Sequence, residues 1–363
     1  MLARNVLRLL MVLGSISGAA AQSPMSPNSA PPPLPPRVAA QPPAMSPDMK
    51  TVLDAQMALG TKPIELLTPV KARLQPSPAD GARAVMRQRG MSTAPDTTIS
   101  TRDVSYGDDP MQHVRVYKPA ATSAEMMPLI IYFHGGGWVI ADVNTYDATP
   151  RLLSKQLGAI VVSVEYRHAP EAKFPAQHED AATAYRWVLE KAASWGGDPT
   201  RVALAGESAG GNLAVATAIY ARDNGLTKPL HVLAVYPIAN SATNLASRVD
   251  SANAKPLNSA MLPWFGHYYA TSKTDMMDPR LNLVKADLRD LPMTTIINAR
   301  IDPLRSDGET LATAMQSAGN RVEQRTFEGV THEFFGLGTL VRGAYDAEQY
   351  AISRLRAAFD KRR

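Results

Sequence analysis

Residues 201–220 read RVALAGESAGGNLAVATAIY, and this stretch decides the fold. RVALA is an apolar, strand-like run, and GNLAVATAIY has the composition of a buried helix. Between them stand Gly206, Glu207, Ser208, Ala209 and Gly210. Glycine at both flanks lets the backbone take a sharp, strained strand-to-helix turn and lets strand and helix approach closely. Such a turn exposes the serine oxygen at a helix N-terminus, where partial positive charge favours an oxyanion. Ser208 is therefore the candidate nucleophile. The backbone N–H of Ala209 is one candidate oxyanion donor.

Outward from this turn, strand-like runs alternate with helical ones. Strands are expected at 114–117, 129–133, 160–165, 202–205, 232–236, 294–298 and 322–327. Helices are expected at 148–157, 177–193, 209–224, 307–318 and 345–359. Runs such as IIYF and AIVVSV are continuous rather than alternating, as in strands buried on both faces of a mostly parallel sheet. The alternation predicts a doubly wound α/β fold. Residues 240–291 break the rhythm with Ser, Asn, Met and MLPWFGHYY, and read as an insertion with helices of its own. Residues 48–91 read as helical, with helices near 49–59 and 69–75 and no chemistry-bearing pattern.

His134-Gly135-Gly136-Gly137-Trp138 follows the strand PLIIYF. Consecutive glycines at a strand's carboxyl end present backbone N–H groups, and acyl transfer needs two or three of these aimed at one oxygen. The N–H groups of Gly136 and Gly137 are the candidates, with His134 and Gly135 supporting the loop. A phosphate-cradling loop would continue with Lys-Ser/Thr, whereas this one continues with Trp138 and Val139. A serine nucleophile needs a base, and the base needs a carboxylate. Of the seven histidines, His332 follows the strand-like RVEQRTFEG in a loop ahead of another helix, so it is the candidate base. His113, His168, His178 and His231 read as structural. Asp302 follows TTIINARI and is the candidate carboxylate, whereas Asp307 falls at a helix start and reads as an N-cap.

The chain has 363 residues, no cysteine, and a net charge of 38 − 33 = +5. Zero cysteine excludes a disulfide scaffold, a thiolate metal site and a cysteine nucleophile. Residues 1–21, MLARNVLRLLMVLGSISGAAA, combine Arg4 and Arg8, a short apolar run and Ala19-Ala20-Ala21. They read as a secretory signal peptide and place the mature protein in the periplasm or outside the cell. Without Arg4 and Arg8 the charge is 36 − 33 = +3, and no Lys/Arg cluster interleaved with aromatics supports nucleic-acid binding. Residues 22–47 hold 10 of the 29 prolines and read as an extended linker. No apolar run is long enough for stable membrane insertion after signal cleavage. The folded unit is expected over 48–363.

Six stretches together resemble the bacterial hormone-sensitive-lipase family of carboxylesterases, within the α/β-hydrolase superfamily. They are HGGGW (134–138), VEYRHAPEAKFPAQHED (164–180), GESAGGN (206–212), DPRLNLVKADLRDLP (278–292), DPLRSDGE (302–309) and GVTHEFFG (329–336). The resemblance implies an α/β-hydrolase fold: a mostly parallel central sheet of about eight strands with a helical cap from about 48–92 and 240–291. It implies hydrolysis of small-molecule esters of short to medium acyl chain by Ser208, His332 and Asp302, with no metal or cofactor. It also suggests a homodimer. Amidase or aryl-formamidase activity on the same residues is the alternative, and a non-catalytic ligand-binding role is disfavoured by the presence of His332. Trp138, Trp264, Phe265 and Tyr268 are candidate pocket walls, with cap core as the competing reading. Glu207 stands where the family commonly has Asp, and Glu333 where it commonly has Gly; either departure is expected to alter hydrogen bonding behind the site or the pH optimum.

Overall fold

A computed structural model describes residues 43–120 and 125–360. The signal-peptide reading of 1–21 and most of the proline-rich linker lie outside the described residues. In chain order the elements are α1 (Pro47–Ala58), α2 (Pro69–Arg73), α3 (Pro78–Gln88), β1 (Ile99–Ser105), β2 (His113–Pro119), β3 (Met127–Phe133), α4 (Ala148–Leu157) and β4 (Ile160–Val164). They continue with α5 (Ala176–Lys191), β5 (Gly197–Glu207), α6 (Ala209–Asp223), β6 (His231–Val235), α7 (Ala246–Asp250), α8 (Met261–Tyr269), β7 (Thr294–Ile301), α9 (Arg305–Ser317), β8 (Val322–Thr331) and α10 (Arg342–Asp360).

The eight strands form one sheet in the order β1-β2-β4-β3-β5-β6-β7-β8. β1, β2 and β4 pair antiparallel, and every pairing from β4 through β3 to β8 is parallel. Side chains alternate across the pleat. Leu129, Ile131 and Phe133 of β3 enter the core shared with α5, α6 and α9, while Ile130 and Tyr132 enter the core shared with α1, α4 and α10. Both faces are covered, which is why the central strands read as continuous apolar runs. β1 has no such signature: five of its seven residues are exposed, so ISTRDVS reads as polar sequence although it pairs with β2 along its whole length.

Two segments outside the sheet reach the carboxyl ends of the central strands. The first contains α1 to α3. α3 is started by a reciprocal Ser77–Asp80 capping box with Pro78 in its first turn, a helix the sequence reading did not separate. α1 packs closely on α3, where a Cβ at Gly81 would collide with the Val52 carbonyl oxygen. The packed chain also starts slightly ahead of Asp48, since Ser46 N–H donates to the Gly329 carbonyl at 2.8 Å. The second segment is the insertion between β6 and β7, which carries α7 and α8. Asp307 anchors this insertion. It accepts from the backbone N–H groups of Ala239 and Asn240 at 3.1 Å each and pairs with Arg248 at 2.8 Å. It is therefore not the N-cap that its position suggested; Leu304 occupies the cap of α9.

Candidate active site

The turn after β5 takes its shape from its small residues. Ser208 has φ 57° and ψ −118°, a strained conformation for a side chain with a Cβ. A Cβ at Gly206 would collide with the Gly210 carbonyl, and one at Gly210 with the Phe133 carbonyl. Only glycine at both positions lets α6 leave the strand end this tightly, and the result places Ser208 at the start of α6 beside the end of β3.

His332 follows β8 directly and Asp302 follows β7 directly, so two neighbouring parallel strands deliver both side chains to the same end of the sheet. His332 Nε2 lies 2.9 Å from Ser208 Oγ, and His332 Nδ1 lies 2.7 Å from Asp302 Oδ2. The other oxygen of Asp302 accepts the Leu304 N–H at 2.8 Å. Ser208, His332 and Asp302 are all buried. Burial opposes protonation of His332. The Asp302 charge and hydrogen bond, with smaller contributions from Glu333 and Glu207, outweigh it and raise the imidazole above its ordinary value. The His332 imidazole is thus held in one orientation by the Asp302 carboxylate, which favours its protonated form.

The glycine loop after β3 turns tightly over the serine. The Gly136 carbonyl accepts from the N–H groups of Val139 and Ile140 at 3.1 and 3.0 Å, with Gly136 at φ 95° and Gly137 at φ 58°. A Cβ on Gly136 would collide with the Ile140 carbonyl, and one on Gly137 with the Phe265 ring. His134 supports this loop from behind. Its ring stacks on Tyr166 at 4.4 Å and approaches Glu165 at 3.3 Å, and Glu165 also meets His168 at 3.0 Å and accepts the Val143 N–H at 2.9 Å. Burial would raise Glu165, but the two imidazoles hold it well below the usual carboxylate range. His134, Glu165 and His168 form a buried group whose ligand atoms lie within 4.8 Å of one another, the grouping among the described residues with metal-ligand spacing. It lies behind the loop and does not line the cavity above Ser208.

That cavity has a volume of about 410 Å³. Ser208, His332, Gly136 and Gly137 form its floor, with Glu333 beside them, and the two segments outside the sheet form much of its wall. Of the four aromatic residues considered as pocket walls, Phe265 lines it. Trp138 instead stacks on Tyr269 at 4.3 Å and ties the glycine loop to α8. Trp264 donates from Nε1 to the Leu67 carbonyl at 2.9 Å, and with Tyr268 it borders a separate surface hollow. The pocket readings of Trp138, Trp264 and Tyr268 are therefore corrected: Trp138 is taken up by packing on Tyr269, and the rotation of about 100° per residue along α8 turns Phe265 inward and Trp264 and Tyr268 toward the N-terminal segment or the surface. Arg73 of α2 fastens that segment to the site, donating to the Val139 and Ala169 carbonyls at 2.8 Å each and pairing with Glu171.

Glu207 and Glu333, the two departures from the family pattern, each hydrogen-bond to tyrosines that the sequence did not point to. Glu207 accepts from Tyr132 Oη at 2.6 Å and from Tyr236 Oη at 2.5 Å. It is fully buried, and burial pushes its carboxyl up to about 7 against the lowering effect of those two hydrogen bonds. Tyr236 stands 4.4 Å from the His332 ring. Glu333 accepts from Tyr146 Oη at 2.6 Å, and its Oε1 lies 3.9 Å from His332 Nε2. Five of the six non-glycine residues with positive φ among the described residues, Trp138, Ala141, Ser208, Tyr236 and Glu333, are in or beside this site. Backbone strain is concentrated where functional geometry is required.

The sequence profile of the alpha/beta hydrolase fold matches residues 130–336. The chain is 35% identical over 327 residues to the carboxylesterase NlhH of Mycobacterium tuberculosis, covering 88% of this chain and 98% of that one. It is 30% identical over 310 residues to the bovine (Bos taurus) arylacetamide deacetylase, covering 68% and 77% of the two. The structure of a hyperthermophilic esterase from the archaeon Pyrobaculum calidifontis superposes with a TM-score of 0.76 at 32% identity, over 86% of this chain and 98% of that one. The chain belongs to the α/β-hydrolase fold family, on the hormone-sensitive-lipase branch that its motifs resemble.

Proposed function

We propose that the protein is a carboxylic ester hydrolase that works through Ser208, His332 and Asp302 on esters of short to medium acyl chain. The observation that carries this reading is the hydrogen-bonded run from Ser208 Oγ through His332 to Asp302, opening into one cavity beside the glycine loop. His332 takes the Ser208 proton as Oγ attacks the ester carbonyl, and Asp302 keeps Nδ1 protonated and stabilises the imidazolium. The N–H groups of Gly136, Gly137 and Ala209 receive the oxyanion; such a donor is typically worth about 10²–10³ in kcat. His332 then protonates the leaving alcohol, leaving an acyl-enzyme on Ser208 that water cleaves.

Similarity to carboxylesterases supports the ester class, and a cavity of about 410 Å³, toward the small end of the usual ~300–1,000 Å³ range, supports a short acyl group. The segments 48–92 and 240–291 act as the cap that sets this limit. Residues 1–21 act as an export signal, and the proline-rich residues from 22 up to the start of the packed chain near Ser46 act as the tether. Hydrolysis of p-nitrophenyl esters from C2 to C16 tests the reading. Turnover should peak at short to medium chains and vanish in Ser208→Ala; full activity in that variant or a maximum at C16 contradicts it. Similarity to the arylacetamide deacetylase favours an acetanilide as second substrate, measured beside the esters.

A further inference from the structure

Glu333 has no part in the steps just described, yet its placement carries two costs. It is a non-glycine residue at φ 64°, and it puts a carboxylate into a largely apolar cavity. Tyr146 holds it there through the 2.6 Å hydrogen bond to Oε1. Tyr146 is itself fitted under the glycine loop, where its hydroxyl fills the space that a Cβ on Gly135 would take. The carboxylate is therefore fixed with respect to both the oxyanion loop and His332.

We propose that Glu333 is a catalytic residue for deacylation: it holds the water that cleaves the acyl-enzyme. The inference rests on the Ser208 reading above. Glu333 Oε1 and His332 Nε2 are 3.9 Å apart, and both face the cavity that contains Ser208. A water donating to both at about 2.8 Å meets them at an angle of about 90°, close to its own H–O–H angle. With both hydrogens engaged, its lone pairs are left for the acyl carbon. A carboxylate offers about four acceptor directions, so Oε1 can serve Tyr146 and the water together. In the step itself, the water oxygen bonds to the acyl carbon as the hydrogen facing Nε2 passes to His332. The other hydrogen stays on that oxygen, held by Glu333, which takes up no proton in the step. The tetrahedral adduct then collapses with cleavage of the C–Oγ bond. His332 returns its proton to Ser208, and the carboxylic acid leaves and ionises in solvent. Acylation needs no such water, so Glu333 serves one half of the cycle.

The test is pre-steady-state hydrolysis of p-nitrophenyl acetate by the full-length protein and its Glu333→Gln and Glu333→Gly variants. Glycine suits the backbone at this position, so the second variant keeps the test valid if glutamine strains the fold. The burst rate should stay within about threefold of the parent while the steady-state rate falls about 100-fold, the low end of what one well-placed acid–base or electrostatic group contributes. Methanol gives a second readout. It has a single O–H, which His332 uses, and nothing for Glu333 to hold. In added methanol, the variants should therefore form methyl acetate over acetate in a ratio raised about as much as hydrolysis is slowed. Loss of the Glu333 charge should also move the acid limb of kcat/KM to lower pH, because that charge helps raise His332. Equal slowing of both phases, an unchanged steady state, or an unchanged product ratio would overturn the proposal. A burst that survives Ser208→Ala would instead overturn the Ser208 reading on which it rests.

Discussion

Replacing Glu207 with glutamine should change how stability depends on pH, and the size follows from its surroundings. The carboxyl is fully buried between Tyr132 and Tyr236 and is pushed up to about 7 from an ordinary 4.5. The folded protein therefore keeps a proton on Glu207 at pH values where the unfolded chain has lost it. Because the folded value is the higher one, this contribution is fully present below pH 4.5 and is lost as pH rises through 7. Each pH unit between the two values costs about 1.4 kcal/mol, so about 2.5 kcal/mol disappears between pH 5 and 8. Glutamine is neutral throughout and fits the same space. The other raised carboxyls, Glu348 at about 7 and Asp307 at about 6, are present in both proteins and cancel in the comparison. Urea unfolding of parent and Glu207→Gln at pH 5 and pH 8 measures the effect. The variant should gain about 2–3 kcal/mol relative to the parent between the two pH values. A difference that stays constant within about 0.5 kcal/mol would refute the claim that burial keeps Glu207 protonated.

Gly136→Ala should lower kcat by about 10²–10³ with little change in circular dichroism, because the added methyl collides with the Ile140 carbonyl and turns a candidate oxyanion donor away; an unchanged kcat would remove Gly136 from that role. Phe265→Ala should move the preferred p-nitrophenyl ester toward longer acyl chains, since this ring walls the cavity beside Gly137. An unmoved profile would place the acyl group elsewhere. Asp302→Asn should cut kcat about 10⁴-fold while the fold survives, because the amide leaves His332 in the wrong tautomer; a loss under tenfold would point to another carboxylate.

Much of the site is legible in the sequence because its chemistry is local. The turn at Ser208, the glycine loop at 134–138 and the strand-end residues Asp302 and His332 each depend on a few neighbouring residues. The sheet then brings their carboxyl ends together. What was not legible depends on distant pairs. Glu207 meets Tyr132 across 75 residues, and Tyr146 meets Glu333 across 187. No periodicity encodes such contacts. The role of Asp307 was obscured in the same way, since a carboxylate in a helix's first turn looks like a cap until the insertion it anchors is placed beside it. β1 was missed because a polar edge strand has little apolar signature. The aromatic cluster on α8 gave several equivalent candidates for the pocket, and only packing decided that Phe265 faces inward while Trp264 and Tyr268 do not.

The central claim is that Ser208 carries the acyl group. Incubating the full-length protein with a p-nitrophenyl alkylphosphonate, followed by intact-mass measurement and peptide mapping, tests it most directly. The account predicts one adduct per chain on Ser208, p-nitrophenolate release in equal amount, complete loss of esterase activity, and no adduct in Ser208→Ala. An adduct on a different residue, or a Ser208→Ala variant that still reacts and turns over at the parent rate, contradicts it.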